Sequence, residues 1–102
     1  MLGDIRQAKN VYIVTGYTDM RKGFRSLVPY VMQNFKMDPY DRGLFLFCGK
    51  KCDRLKALLW EPDGFVLLYK VLNNGRYQWP RNEKELKELT WEQFTWFMQG
   101  LS

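Results

Sequence analysis

The sequence predicts an α+β fold: an antiparallel β-meander of four to five strands packed with one long N-terminal helix and a short C-terminal helix. Three features carry that prediction. Apolar side chains recur at spacings of three and four from Met20 to Phe35, the period of one helix face. From Gly43 onward short apolar runs alternate with the turn signals Pro62-Asp63-Gly64 and Asn74-Gly75. Thr90, followed three residues later by Gln93, then opens a second helical stripe.

Element by element, Asn10-Val11-Tyr12-Ile13-Val14 is β-branched and aromatic and reads as a strand ending at Gly16. Thr18 is a candidate N-cap with Asp19 in the first turn, where the helix dipole favours a carboxylate. Met20, Phe24, Leu27, Val31 and Phe35 form the apolar stripe of a helix from about 19 to 35. Pro29 is expected to kink that helix or break it near Val28, since it lacks an N–H and its ring meets the preceding turn. Strands are predicted over 44–48, 55–61, 66–72 and 76–79. Pro62-Asp63-Gly64 suits a type I turn with a left-handed glycine, and Asn74-Gly75 a type I′ hairpin. A short helical turn fits 83–88. The last helix presents Trp91, Phe94, Phe97, Met98 and Leu101 on one side, with Gly100 as its stop.

Turn chemistry sets register, and register decides which side chains share a face. A three-residue loop at 62–64 places Trp60 opposite Val66, Leu58 opposite Leu68 and Lys56 opposite Lys70. A two-residue loop at 74–75 then places Leu72 opposite Tyr77 and Lys70 opposite Trp79. The core face becomes Leu55, Ala57, Leu59, Leu67, Tyr69, Val71 and Gln78. The other face mixes lysines with Trp60, Tyr77 and Trp79, which can pack or stack on bases. Alternatively a helix covers that face and the lysine stems reach past it to water.

A chain of 102 residues with 46% hydrophobic and 17% aromatic content can build one core, so 1–102 is expected to be a single domain rather than a disordered polypeptide. Histidine is absent, which excludes histidine-based triads, histidine metal sites and histidine pH switches. Cys48 and Cys52 are too few for a disulfide scaffold or a structural zinc site; they can bridge if oxidised, but free thiols are expected. The N-terminus has no apolar signal core, and the longest apolar runs are far short of the roughly 20 residues that span a bilayer. The expected location is cytoplasmic, without membrane association. Without histidine no nucleophile–base pair can be assembled unless a lysine serves as the base, and no nucleophile elbow or Walker loop occurs. Asp4, Asp19, Asp38, Asp41, Asp53, Glu61 and Asp63 mostly occupy cap or turn positions, so no enzyme activity, cofactor or metal is expected.

The net charge is +5, distributed as +7 over residues 1–81 and −2 over 82–102. Basic residues form three groups: Arg21, Lys22 and Arg25 in the expected first helix turns; Lys50, Lys51 and Arg54 around the first meander turn; and Arg76 and Arg81 flanking Tyr77-Gln78-Trp79-Pro80. Helix amides and dipole favour an anion at the first. Together they make nucleic acid the leading partner.

The ordered blocks Gly16-Tyr17-Thr18-Asp19-Met20-Arg21-Lys22-Gly23, Leu44-Phe45-Leu46-Phe47-Cys48-Gly49, Asp53-Arg54-Leu55-Lys56-Ala57-Leu58, Asp63-Gly64-Phe65-Val66-Leu67-Leu68-Tyr69-Lys70 and Gly75-Arg76-Tyr77-Gln78-Trp79-Pro80 resemble one family nearly end to end. It is the small TnpB accessory protein, the second open reading frame, of the insertion-sequence sixty-six group of bacterial transposons. It is distinct from the RNA-guided nucleases that share the TnpB label. The resemblance implies an accessory role in DNA transposition beside a separate transposase that carries the acidic catalytic triad. It supplies no catalytic residues. Arg21, Lys22, Arg54, Lys56, Lys70 and Arg76 fall inside matching blocks and are candidate DNA contacts, joined by Arg25, Lys50, Lys51 and Arg81. Pro29 departs from the Ala- and Leu-rich helix usual in such proteins.

The expected function is a non-catalytic DNA-binding accessory factor, with Trp60, Tyr77 and Trp79 packing or stacking. The alternative is a module that docks on the transposase or on a second copy without touching DNA. Trp96, off the main stripe of the last helix, is its candidate exposed anchor beside the acidic segment 83–92.

Overall fold

The structure, a computed structural model, describes residues 2–99. Five strands form one mixed sheet: β1 (Asn10–Val14), β2 (Gly43–Cys48), β3 (Arg54–Glu61), β4 (Gly64–Val71) and β5 (Leu86–Leu89), in the order β4-β3-β2-β1-β5. Two short helices, α1 (Phe24–Phe35) and α2 (Trp91–Gln99), cover it on opposite faces. The expected arrangement is therefore corrected. The protein is mostly sheet, and its first helix is a 12-residue mid-chain crossover, not a long N-terminal element.

β2 is buried at all six positions, as a strand covered on both faces must be, and its sequence Gly-Leu-Phe-Leu-Phe-Cys has no polar alternation. It pairs in parallel with β1 and antiparallel with β3. Parallel neighbours need a long crossover, and residues 15–42 with α1 provide it. Tyr12, Val14, Phe45, Phe47, Leu58, Phe65 and Leu67 meet α1 on one side. Val11, Ile13, Leu44, Leu46, Leu55, Ala57 and Leu68 meet Phe94, Phe97 and Met98 of α2 on the other.

The helix predicted from about 19 starts at Phe24, and its N-cap is Gly23, not Thr18. Residues 19–22 form a hydrogen-bonded turn instead: Arg21 N–H donates to Asp19 Oδ1 at 2.9 Å and Lys22 N–H to the Asp19 carbonyl at 3.1 Å. An aspartate bonding its own backbone two residues on competes with helix. Nor does the helix break at Val28; it runs through Pro29. Pro29 is exposed, so water can solvate the Arg25 carbonyl that loses its intrahelical donor.

The β3–β4 hairpin forms in a different register. Glu61 pairs with Gly64, leaving a two-residue loop, so Trp60 faces Phe65, Leu58 faces Leu67 and Lys56 faces Tyr69. One residue of slip sends Leu67, Tyr69 and Val71 to the face of Lys56, Leu58 and Trp60. The expected Lys56–Lys70 pairing does not form; Lys70 pairs with Leu55. The alternative in which a helix covers the second face is the one that forms: α1 lies on it, and β4 has apolar residues for each face.

Residues 76–79 are not a strand, and Asn74-Gly75 does not make a hairpin, although Gly75 takes a φ of +85°. The segment instead runs across the turn after β2, with Tyr77 N–H donating to the Cys52 carbonyl at 2.7 Å. The helical turn expected over 83–88 is replaced by β5, which pairs with the free edge of β1. Buried Thr15 clasps it: its hydroxyl donates to the Glu83 carbonyl at 2.6 Å and accepts from Glu85 N–H at 2.9 Å. The capping box of α2 forms as read, with Gln93 N–H on Thr90 Oγ1 at 3.1 Å and Thr90 N–H on Gln93 Oε1 at 2.9 Å. Its Gly100 stop and Leu101 lie outside the described residues. No helix among the described residues is long and apolar enough to cross a membrane.

Candidate nucleic-acid interface

The C-terminal ends of β1, β2 and β4 and the N-terminal end of β3 share one end of the sheet. Three connections meet there. Thr18 N–H donates to the Cys48 carbonyl at 2.8 Å, Gly16 N–H to the Pro80 carbonyl at 2.8 Å, and Leu72 N–H to the Asp53 carbonyl at 2.8 Å. Gly49 allows the close approach: a Cβ there would lie 2.8 Å from Met20 Cγ.

These bonds bring basic residues distant in sequence to one end. Arg21 and Lys22 come from the first connection, Lys50, Lys51 and Arg54 from the second, and Arg76 and Arg81 from the third. Lys56 Nζ reaches the same cluster, donating to the Lys22 carbonyl at 2.7 Å. Lys70 pairs with Leu55 at this end but on the α2 face, beside Phe94 and Met98. Arg25 is separated from Arg21 and Lys22. It sits 5.4 Å from the Phe24 ring, which stacks on Phe65 toward the other end of β4. Since α1 starts at Phe24, Arg21 and Lys22 precede it, and the helix-terminus argument for anion binding does not apply to them.

A groove of about 310 Å³ lies between the first two connections, lined by Thr18, Asp19, Met20, Gly49, Lys50, Lys51, Asp53 and Arg54. A second, of about 400 Å³, is lined by Cys52, Arg76, Tyr77, Gln78, Trp79, Pro80 and Arg81. Two carboxylates temper the charge. Asp19 takes the Arg21 guanidinium at 2.7 Å, and these hydrogen bonds hold its carboxyl well below the usual carboxylate range. Asp53 Oδ1 lies 3.8 Å from Arg54 Nε. The ammonium groups instead stand over phenol rings: Lys22 over Tyr30 at 5.3 Å, Lys56 over Tyr69 at 5.2 Å and Lys50 over Tyr17 at 6.0 Å. Sequence reading missed Lys84, which β5 brings to 5.5 Å from the Tyr30 ring.

Of the packing or stacking expected of Trp60, Tyr77 and Trp79, the structure shows packing. Tyr77 and Trp79 are buried, and Trp79 Nε1–H donates to the Val14 carbonyl at 2.9 Å, so neither can receive a base. Trp60 packs edge-on against Tyr40 and Phe65 at 4.8 and 4.9 Å, at the opposite end of the sheet. The exposed rings at the basic end are Tyr17 and Tyr69, 47% and 49% accessible, although the expected register puts Tyr69 in the core. Tyr17 had a local signal in its place beside the Thr18-Asp19 turn; Tyr69 had none until register was known. Trp96 on α2 is 74% exposed.

Cys48 and Cys52 are free and buried. Burial and the neighbouring Cys52 push the Cys48 thiol up to about 12, which keeps it protonated and poorly nucleophilic. Among the described residues no group of three or more His, Cys, Asp or Glu is placed to hold a metal ion.

Two curated relatives cover most of this chain. "Uncharacterized protein y4hO" of Sinorhizobium fredii is 36% identical over 95 residues, 93% of this chain and 83% of the relative. "Uncharacterized protein y4jC" of the same organism is 31% identical over 101 residues, 99% of this chain and 86% of the relative. No solved structure matches. The family model described as IS66 Orf2 like protein matches residues 9–102, which spans all five strands and both helices. The chain thus belongs to the IS66 Orf2-like family, the accessory proteins of that group of insertion sequences.

Proposed function

We propose that this protein is a non-catalytic accessory factor of DNA transposition that binds DNA through the basic end of its sheet and assists the element's separate transposase. One observation carries the reading: the three connections that bear Arg21 and Lys22, then Lys50, Lys51 and Arg54, then Arg76 and Arg81 meet at one end of the sheet, where the second group lines the 310 Å³ groove beside Asp19 and Asp53 and the third lines the 400 Å³ one. Lys50 and Lys51 neutralise backbone phosphates there, and Arg54 adds a guanidinium on the same wall. Titration of an element-end duplex and of single-stranded DNA across a salt series tests it. Binding should weaken log-linearly with salt, and Lys50→Ala/Lys51→Ala should lower the duplex slope by about 0.9 for each phosphate no longer neutralised. Absence of binding even at low salt overturns the proposal.

A second reading rests on Trp96. A tryptophan 74% exposed on α2, one helical turn from acidic Glu92, suits a protein partner such as the transposase or a second copy. If Trp96→Ala abolishes co-purification with the transposase while DNA affinity is unchanged, this surface is the docking site. If Lys50→Ala/Lys51→Ala abolishes it and nuclease treatment does too, the association runs through DNA.

A further inference from the structure

The proposed DNA contact leaves open whether the strand is paired, and the aromatic groups at the basic end bear on that. Tyr17 and Tyr69 are about half exposed, and neither belongs to an apolar cluster. Each carries a cation: Lys50 Nζ lies 6.0 Å from the Tyr17 ring centre and Lys56 Nζ 5.2 Å from that of Tyr69. The Tyr69 hydroxyl also accepts from Arg54 Nη1 at 3.3 Å. Two of the basic residues that line the 310 Å³ groove hold these rings: Lys50 stands over Tyr17, and Arg54 donates to the Tyr69 hydroxyl. Each ring is therefore in contact with a cation of the groove.

Rings held beside ammonium groups at the rim of a cationic groove are the elements of single-strand recognition: charge tracks the backbone and ring faces receive bases. A duplex hides its base faces in the stack and offers such rings only sugar and phosphate. Lys56 over the ring and Arg54 on its hydroxyl restrain Tyr69, which lowers the entropy cost when a base settles on it.

We propose that this end of the sheet takes unpaired nucleotides, with bases stacked on Tyr17 and Tyr69 and the intervening phosphates on Lys50, Lys51 and Arg54. The inference rests on the DNA-binding reading and narrows it to strands whose bases are accessible, such as the frayed or nicked ends of an element.

The test compares three probes at one low salt concentration: labelled oligothymidylate, an abasic strand of equal length, and a blunt duplex. Oligothymidylate should bind most tightly. Tyr17→Ala and Tyr69→Ala should each weaken it about 5- to 100-fold and leave the abasic strand unchanged. Tyr17→Phe should retain most of the affinity, because stacking uses the ring and not the hydroxyl. Thermal melting of each variant confirms that the fold persists, as expected for exposed side chains. Equal affinity for the thymidylate and abasic strands, tighter binding of the blunt duplex, or indifference to both alanine variants overturns this inference while leaving DNA binding intact. Failure of all three probes to bind removes both readings together.

Discussion

Thr15→Val tests whether β5 is held to the sheet by side-chain chemistry as well as by its ladder. The substitution keeps the shape of a fully buried residue and removes only the hydroxyl. Two close hydrogen bonds disappear, Oγ1–H to the Glu83 carbonyl at 2.6 Å and Glu85 N–H to Oγ1 at 2.9 Å, whereas the backbone bond from Thr15 N–H to the Glu85 carbonyl remains. A buried group deprived of its partner costs about 1–3 kcal/mol. Residues 83 and 85 are themselves exposed, so water partly rescues the freed carbonyl. The lower part of the range applies, with a total of about 2 kcal/mol. For a chain this size each kcal/mol lowers Tm by about 4–8 °C, so a drop of about 8–16 °C is expected. Hydrogen exchange should show the effect concentrated in the β1–β5 amides, with β3 and β4 affected only through global unfolding. A fall of less than about 2 °C with unchanged β5 protection would show that the clasp contributes nothing and that strand pairing alone seats β5.

Other consequences follow from single interactions. Trp79→Phe keeps an aromatic ring in the core but strands the Val14 carbonyl; a destabilisation of about 1–3 kcal/mol in denaturant titration is expected. Thr90→Ala removes one half of the capping box and should cost about 0.5–2 kcal/mol, with helical circular dichroism falling as α2 frays. The Cys48 thiol is raised from an ordinary 9.0 to about 12, so folding favours its protonated form. That contribution is complete below pH 9 and fades as pH rises from about 9 toward about 12; the native protein should resist iodoacetamide at pH 8, and Cys48→Ala should flatten the alkaline limb of the stability profile.

Much of the local structure was legible because its causes lie within a few residues. The Thr90/Gln93 box closes its own hydrogen bonds across one turn, the β-branched run at 10–14 suits only a strand, and the apolar run at 44–48 reads as another. The absence of histidine and the ordered family blocks were equally plain. The convergence of basic residues was legible as composition and not as geometry. No spacing rule indicates that Arg81 and Lys50 meet at one end of a sheet, or that Arg25 turns away with the Phe24–Phe65 stack.

What the sequence determined by itself was the inventory: the strands at 10–14 and 44–48, the capping box that opens α2, which charges are present, the absence of histidine, and the family. The tertiary structure decided everything that depends on pairing partners far along the chain. β1 and β2 became parallel neighbours, residues 86–89 became a strand only because β1 had a free edge, and one residue of register sent Tyr69 from core to surface. The reason is physical. Caps and turns satisfy backbone groups locally, whereas a sheet covered on both faces accepts an apolar strand in either register until the opposing layers choose between them.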